Sequence, residues 1–159
     1  MPKGLRIGIV GGGIGGLTAA IALKKQGLNA VVFEQAEELG EVGAGLTISK
    51  NAARVFDELD LGAQLASLDN PCPHLGSMHH ESGDILGYEP RDSQELNDSN
   101  VIVSRQVHRA DLYDLLVSRL KNDGGPIYLG HKLKDISQSS DQVELSFASG
   151  QVETCDIVI

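Results

Sequence analysis

Basic residues are scarce in this chain: thirteen lysines and arginines stand against 22 acidic residues, a formal net charge of −9. Nucleic acids and anionic membranes both need a basic footprint, so the balance argues against either as partner and reads as the surface of a soluble protein. Cysteine is rarer still. Cys72 and Cys155 lie far apart and form no ligand cluster, which predicts reduced thiols in a cytoplasmic protein rather than a structural disulfide. No apolar run approaches the roughly 20 residues of a membrane span, and the short one after Leu5 cannot serve as a signal-peptide core. Tryptophan, internal repeats and low-complexity tracts are absent. What remains is a hydrophobic content of 41% over 159 residues, enough for one folded domain with a core and unlike a disordered chain.

The patterning predicts an α/β fold. Leu5 to Val10 reads as a buried parallel strand, closed by the glycines from Gly11 to Gly16. Leu17 to Gln26 has helical spacing, with Gly27 where a helix end favours positive φ. Ala30 to Phe33 is a second strand, ending at Glu34, so one βαβ unit fills about 30 residues. After another glycine-rich stretch, Gly40 to Gly45, Ser49 is placed to cap a helix presenting Ala52, Val55, Phe56 and Leu59 on one face. Residues 69–104 read as an irregular or short-stranded insertion, with an exposed loop over Asp92 to Asn100 and a strand at Val101 to Ser104. A helix follows over Arg109 to Asn122, buried through Leu112, Leu115, Leu116 and Leu120, with Asp111 in its first turn and Arg119 and Lys121 in its last. Gly124 ends it. A strand restarts at Ile127 to Leu129, Val143 to Val152 forms a hairpin about Ala148-Ser149-Gly150, and Asp156 to Ile159 is apolar again. A chain that stops inside an apolar strand predicts a piece of a longer protein.

Gly11, Gly13 and Gly16 spell G-x-G-x-x-G between a strand and a helix. Gly11 permits the tight turn, Gly13 lets a pyrophosphate approach the backbone, and Gly16 lets helix and strand pack closely. The amides of the helix start, Ile14 and Gly15 among them, and the positive end of its dipole then face the phosphates. Glu34 stands about 20 residues on, where a carboxylate accepts hydrogen bonds from ribose hydroxyls. It would repel a 2′-phosphate, so these residues specify FAD or NAD, not NADP, without choosing between the two.

The segments Ile7-Gly8-Ile9-Val10-Gly11-Gly12-Gly13-Ile14-Gly15-Gly16-Leu17, Phe33-Glu34-Gln35, Glu41-Val42-Gly43-Ala44-Gly45-Leu46 and Asn51-Ala52 together resemble the start of the single-component flavin monooxygenases, salicylate hydroxylase and its relatives above all. The resemblance implies a Rossmann-like FAD-binding fold: a mostly parallel central sheet with helices and a β-hairpin or meander, incomplete at the C-terminus. It implies that Gly43, Ala44, Gly45 and Leu46 pass beside the ribityl chain and flavin ring, with Gln35 also at the cofactor. Lys50 replaces the proline that usually precedes Asn-Ala. Val107-His108-Arg109-Ala110-Asp111-Leu112 resembles the family's H-R-x-x-L helix start, whose arginine reaches FAD, and a guanidinium there suits pyrophosphate oxygens. His108 is then a packing or capping residue, and Arg105 faces either the flavin side or solvent. The family continues past its D-[IVL]-[IVL]-[IVL] strand, here Asp156 to Ile159, into a G-A-D-G motif and a later G-D motif that this sequence lacks.

By this resemblance residues 1–159 are the N-terminal portion of a single FAD-binding domain, without the substrate domain and C-terminal motifs. The implied activity is hydroxylation of a small aromatic substrate with NAD(P)H and O₂, the flavin doing the hard chemistry. No catalytic residue is assigned, and the isolated chain is expected to be inactive. His74, His79 and His80 make a poor metal site, since neighbouring histidines point apart and no carboxylate pattern supports them. No nucleophile elbow is present. Two alternatives stay open: another flavin oxidoreductase of the same fold, or a non-catalytic FAD- or NAD-binding module.

Overall fold

A computed structural model describes residues 4–40, 43–70, 74–90 and 103–159. The chain divides into two compact units, one made of Met1–Val42 with Ala110–Ile159, the other of Gly43–Arg109.

The first unit is built on four parallel strands: β1 (Arg6–Val10), β2 (Asn29–Phe33), β7 (Ile127–Tyr128) and β11 (Ile157–Val158). Their spatial order is β11-β1-β2-β7. Taken in chain order these four read 3-2-1-4 from β7, the arrangement of a Rossmann sheet. Its switch point lies at β1, where such folds bind ligands at the carboxyl ends of the strands. Helix α1 (Ile14–Lys25) joins β1 to β2 and starts three residues before the expected Leu17, because Gly15 and Gly16 enter the helix as its first turn. It ends as the sequence predicts. Gly27 has φ +75, and the Gly27 and Leu28 amides donate to the Lys24 and Leu23 carbonyls, which satisfies otherwise orphaned acceptors. Helix α4 (Arg109–Asn122) closes in the same way: Gly124 has φ +68, and the Gly124 and Gly125 amides return to Lys121 and Leu120.

Period-two alternation sorts β2 between two layers. Val31 and Phe33 pack with Leu145, Phe147 and Cys155 from a three-stranded antiparallel sheet, β8 (Leu133–Gln138), β9 (Val143–Phe147) and β10 (Val152–Cys155). Ala30 and Val32 take the opposite face, towards α1, whose Leu17, Ala20 and Ile21 are fully buried. The expected hairpin is therefore one half of a meander. Strand β8 escaped the pattern because all its residues after Leu133 are exposed, leaving no apolar alternation to read. Arg6 ties the layers at their edge: its guanidinium pairs with Glu153 at 2.7 Å, and its amide donates to the Asp156 carboxylate at 2.6 Å.

The second unit holds β3 (Gly45–Ile48) antiparallel to β6 (Arg105–His108), helices α2 (Lys50–Glu58) and α3 (Gly62–Ser67), and a hairpin of β4 (His74–Met78) and β5 (Ile85–Pro90). Ser49 caps α2 as expected, its hydroxyl accepting from the Ala52 amide. Val55, however, is exposed, and Ala53 joins Phe56 and Leu59 in the core. In α4 the buried stripe likewise shifts: Tyr113 and Val117 are buried with Leu112, Leu116 and Leu120, while Leu115 is half-buried. Of the strand expected at Val101 to Ser104, Val101 and Ile102 lie outside the described residues and Val103 and Ser104 are not in a strand, while a strand runs over Arg105–His108. Polar Arg105 and Gln106 hid it, because their side chains are used for hydrogen bonds to Asp69 and Thr47. The loop expected over Asp92 to Asn100 lies outside the described residues.

Candidate functional site

In the first unit the glycine turn lies between the end of β1 and α1. Gly11 has φ +110, a conformation that side chains strongly disfavour, and its amide donates to the Phe33 carbonyl at 2.8 Å. A Cβ on Gly16 would collide with the Gly11 carbonyl oxygen and press on Ile9, so this glycine is demanded by close packing of the turn itself. Among the described residues, a side chain at Gly13 or Gly15 would meet no neighbouring atom within 4 Å. Gly13 caps α1, and the first intrahelical bond runs from the Leu17 amide to the Gly13 carbonyl. Helix geometry therefore leaves the amides of Ile14, Gly15 and Gly16 without intrahelical acceptors, the arrangement that suits an anion.

Glu34 is half-buried and bridges backbone on two sides: Oε2 accepts from the Gly12 amide at 2.5 Å and Oε1 from the Ala36 amide at 2.8 Å. Its own backbone is clamped by the segment after β7. The Glu34 amide donates to the Tyr128 carbonyl and the His131 amide to the Glu34 carbonyl, each at 2.8 Å, while the Gly130 amide meets the Ala36 carbonyl at 2.9 Å. His131 is buried among Phe33, Tyr128 and Phe147, with Nδ1 2.6 Å from the Leu129 carbonyl. Sequence reasoning missed both Gly12 and this clamp. The run of three glycines, where the motif requires only Gly11 and Gly13, was the signal for the first. Nothing local marks the second, because it acts through backbone groups. Gln35 is exposed in the bend that follows Glu34.

In the second unit the β3–β6 pairing brings together two segments that lie some sixty positions apart in sequence. Gly45 pairs with His108 and Leu46 with Val107, and the Arg109 amide donates to the Ala44 carbonyl at 3.2 Å. The Arg109 stem lies across Gly43: a Cβ there would stand 2.6 Å from Arg109 Cβ and 2.8 Å from Cδ. Ala44 and Gly45 are exposed and Leu46 half-buried. His108 is exposed and directly precedes α4, so of its two expected roles packing is excluded and its place is that of a cap. Of the two surroundings expected for Arg105, solvent is excluded. The arginine pairs with Asp69 at 3.1 Å, the side chains retaining 11% and 4% of their exposure, and Asp69 also accepts from the Gln106 amide at 2.6 Å. Removing one partner of so buried a pair strands the other charge, so the pair fixes β6 and with it the approach to Arg109.

His79 and His80 do not point apart. Their rings stack at 5.1 Å with 17° between planes, and Glu81 brings a carboxylate within 4.8 Å of a nitrogen on each. The expectation failed because both lie in the turn after β4, where strand alternation does not operate. His79 Nδ1 accepts from the Glu81 and Ser82 amides at 3.3 Å. A neutral ring accepting there carries its proton on Nε2. Among the described residues no helix is long and apolar enough to cross a membrane.

Comparison with known proteins follows the same outline. Residues 9–81 match the family model of an NAD(P)-binding Rossmann-like domain. The whole chain is 30% identical over 159 residues to 6-hydroxynicotinate 3-monooxygenase of Pseudomonas fluorescens, covering 40% of that protein. It is 32% identical over 160 residues to a salicylate hydroxylase of Pseudomonas putida, with 98% of this chain aligned to 35% of that one. Among solved structures, Klebsiella pneumoniae HpxO complexed with FAD and uric acid superposes with a TM-score of 0.79 at 21% identity, over 97% of this chain and 38% of the other, a likeness of fold. The chain thus spans about two fifths of the length of these relatives.

Proposed function

We propose that this chain, similar along its length to the N-terminal part of FAD-dependent aromatic-ring monooxygenases, is the FAD-binding portion of such an enzyme, one that hydroxylates a small aromatic substrate with NAD(P)H and O₂. The observation that carries the reading is Glu34, its carboxyl set beside a glycine turn at the carboxyl end of a Rossmann strand. The residues suit an adenosine diphosphate group: a side-chain-free face at Gly13 and Gly15, helix-start amides at Ile14 and Gly15, and a carboxylate for ribose hydroxyls. A guanidinium at Arg109 suits the pyrophosphate, and Ala44, Gly45 and Leu46 offer exposed or half-exposed backbone for the ribityl side. The resemblance assigns both sets, with Gln35, to one cofactor in a single FAD-binding domain carrying a substrate-side insertion at about 69–104.

When bound, FAD supplies the redox chemistry, taking reducing equivalents from NAD(P)H and delivering them to O₂ for insertion of one oxygen into the ring. This chain's residues bind and orient it: Gly11 and Gly16 shape the turn, Glu34 holds the ribose, and Arg109 neutralises phosphate charge. No residue here is given a proton-transfer role. The activity belongs to the longer protein, and we place that protein in the cytoplasm. A second reading, dinucleotide binding without turnover, is favoured by the family match at residues 9–81, whose description names NAD(P).

Purified chain should retain FAD and be yellow, and it should show no substrate-dependent NADH oxidation. A colourless protein that binds NAD would support the second reading, and robust hydroxylation by the 159 residues alone would overturn the assignment of activity to the longer protein.

A further inference from the structure

We infer that the turn between β4 and β5 binds a divalent transition-metal ion of the zinc class, through His79, His80 and Glu81. The inference is independent of the FAD reading and concerns the second unit alone.

Three consecutive residues bring two imidazole nitrogens and one carboxylate oxygen within 4.8 Å of one another. Two nitrogens and an oxygen suit zinc, nickel or copper, whereas calcium and magnesium call for oxygen ligands. Donors on one tetrahedral zinc stand roughly 3.3 Å apart, so the cluster has to close by about 1.5 Å at most. His80 and Glu81 are exposed, and rotation of their side chains supplies that movement. The backbone beneath them is fixed. The His79 amide donates to the Asp84 carbonyl at 2.8 Å, and the Gly83 amide returns to the His79 carbonyl at 2.9 Å. Gly83 has φ +76, which lets the chain turn so tightly. The Ser82 hydroxyl adds a bond to the Asp84 carboxylate at 2.6 Å. In an extended strand the two histidines would project to opposite faces. The turn instead sets their rings face to face, 5.1 Å apart and 17° from parallel, each with a nitrogen near Glu81. The Glu81 and Ser82 amides reach His79 Nδ1 at 3.3 Å, the long end of hydrogen bonding, so an ion displaces them readily. They are lost whether the ion takes Nδ1 itself or takes Nε2 and moves the ring proton to Nδ1. Three protein ligands leave a fourth position to water.

The test titrates the untagged 159-residue chain with zinc chloride by calorimetry, with nickel, magnesium and calcium chlorides for comparison. We expect one zinc per chain with a Kd of about 10 μM, nickel within about tenfold of it, and no heat from magnesium or calcium. His79→Ala and His80→Ala should each weaken zinc at least about tenfold, and Glu81→Gln about threefold. His80→Phe keeps a stacked ring without its nitrogens and should lose zinc as His80→Ala does. In amide NMR spectra zinc should move the Glu81 and Ser82 signals and leave those of Gly13 and Gly15 in place. Absence of zinc binding at roughly 1 mM would overturn the inference. So would zinc retained by His80→Phe, or by the His79→Ala/His80→Ala double variant, since the ion would then sit at other residues. Magnesium binding as well as zinc would reveal an adventitious ion only, drawn by the net charge of −9. The zinc titration reads this site whether or not the chain binds FAD, so neither result decides the other.

Discussion

In the turn from Gly11 to Gly16 the demand for glycine comes from the backbone: positive φ at Gly11, and the Gly11 carbonyl oxygen where a Gly16 side chain would be. In the stretch from Gly43 to Gly45 it comes from a side chain, the Arg109 stem lying on Gly43, while Gly45 has only the Val107 carbonyl oxygen 4.0 Å away. The two stretches look alike as composition and differ as mechanics. The first is a rigid turn that its own chain requires even without a ligand. The second is a strand entry whose bare residue makes room for a neighbouring cation. A glycine required by backbone should cost stability when replaced, whereas one required by a functional side chain should cost affinity.

Gly16→Ala should therefore have the largest effect. Forcing a methyl against a backbone carbonyl that cannot rotate away costs about 3 kcal/mol, at the upper end of overpacking penalties, and should abolish FAD binding. A urea titration reads the first and flavin absorbance the second. Gly13→Ala meets no atom of the described residues and should change stability by no more than ~0.5 kcal/mol, yet lower FAD affinity more than about tenfold, because the open space is assigned to the ligand. Equal losses of stability in the two variants would erase the distinction within the first turn.

Gly43→Ala sharpens the comparison across the two stretches. Since Arg109 Cβ is part of the contact, the arginine must leave its place, and FAD affinity should fall about tenfold, as it should in Arg109→Ala. The two changes should not add, because one acts through the other. Gly45→Ala is the control and should bind FAD as wild type does within about twofold. A Gly43→Ala protein that unfolds rather than losing affinity would show that this glycine, too, serves the backbone.

Much of the first unit was legible because its signals are local: a short apolar run, a glycine motif, helical spacing to Gly27, an acidic residue closing β2. Gly27 has the positive φ its position predicted, and Gly124, read only as the end of its helix, has it too. The second unit was legible only where capping chemistry spoke, at Ser49. Strand β6 was passed over in the reading because Arg105 and Gln106 are polar for reasons found only in three dimensions, at Asp69 and Thr47. The candidate site divides the same way. Residues whose identity is the function, such as Glu34 and Arg109, stand out in a motif. Residues that act by making room, Gly12 and Gly43, or by backbone bonds, Tyr128 and His131, carry no signature in a single sequence.

A third kind of glycine lies within β1, three residues before Gly11, and gives the smallest predicted effect. A Cβ on Gly8 would stand 2.8 Å from Cys155 Sγ, so the thiol fills the space that the glycine leaves against Phe33. Burial pushes the Cys155 thiol above its ordinary range, the Arg6 guanidinium pulls it back, and Glu153 and Asp156 add to the rise. A thiol raised in the folded state holds its proton longer than in the unfolded chain. Above the ordinary thiol value of about 8.5 the unfolded state therefore binds fewer protons, and stability falls as pH climbs through the raised value. Below that window the group costs nothing. Denaturant titrations at a series of pH values should show wild type losing stability relative to Cys155→Ala only on the alkaline side, the difference between the two being constant at neutral and acid pH. Parallel curves through the alkaline range would mean that the sulfur is solvated and does not hold the thiol proton more tightly in the folded chain.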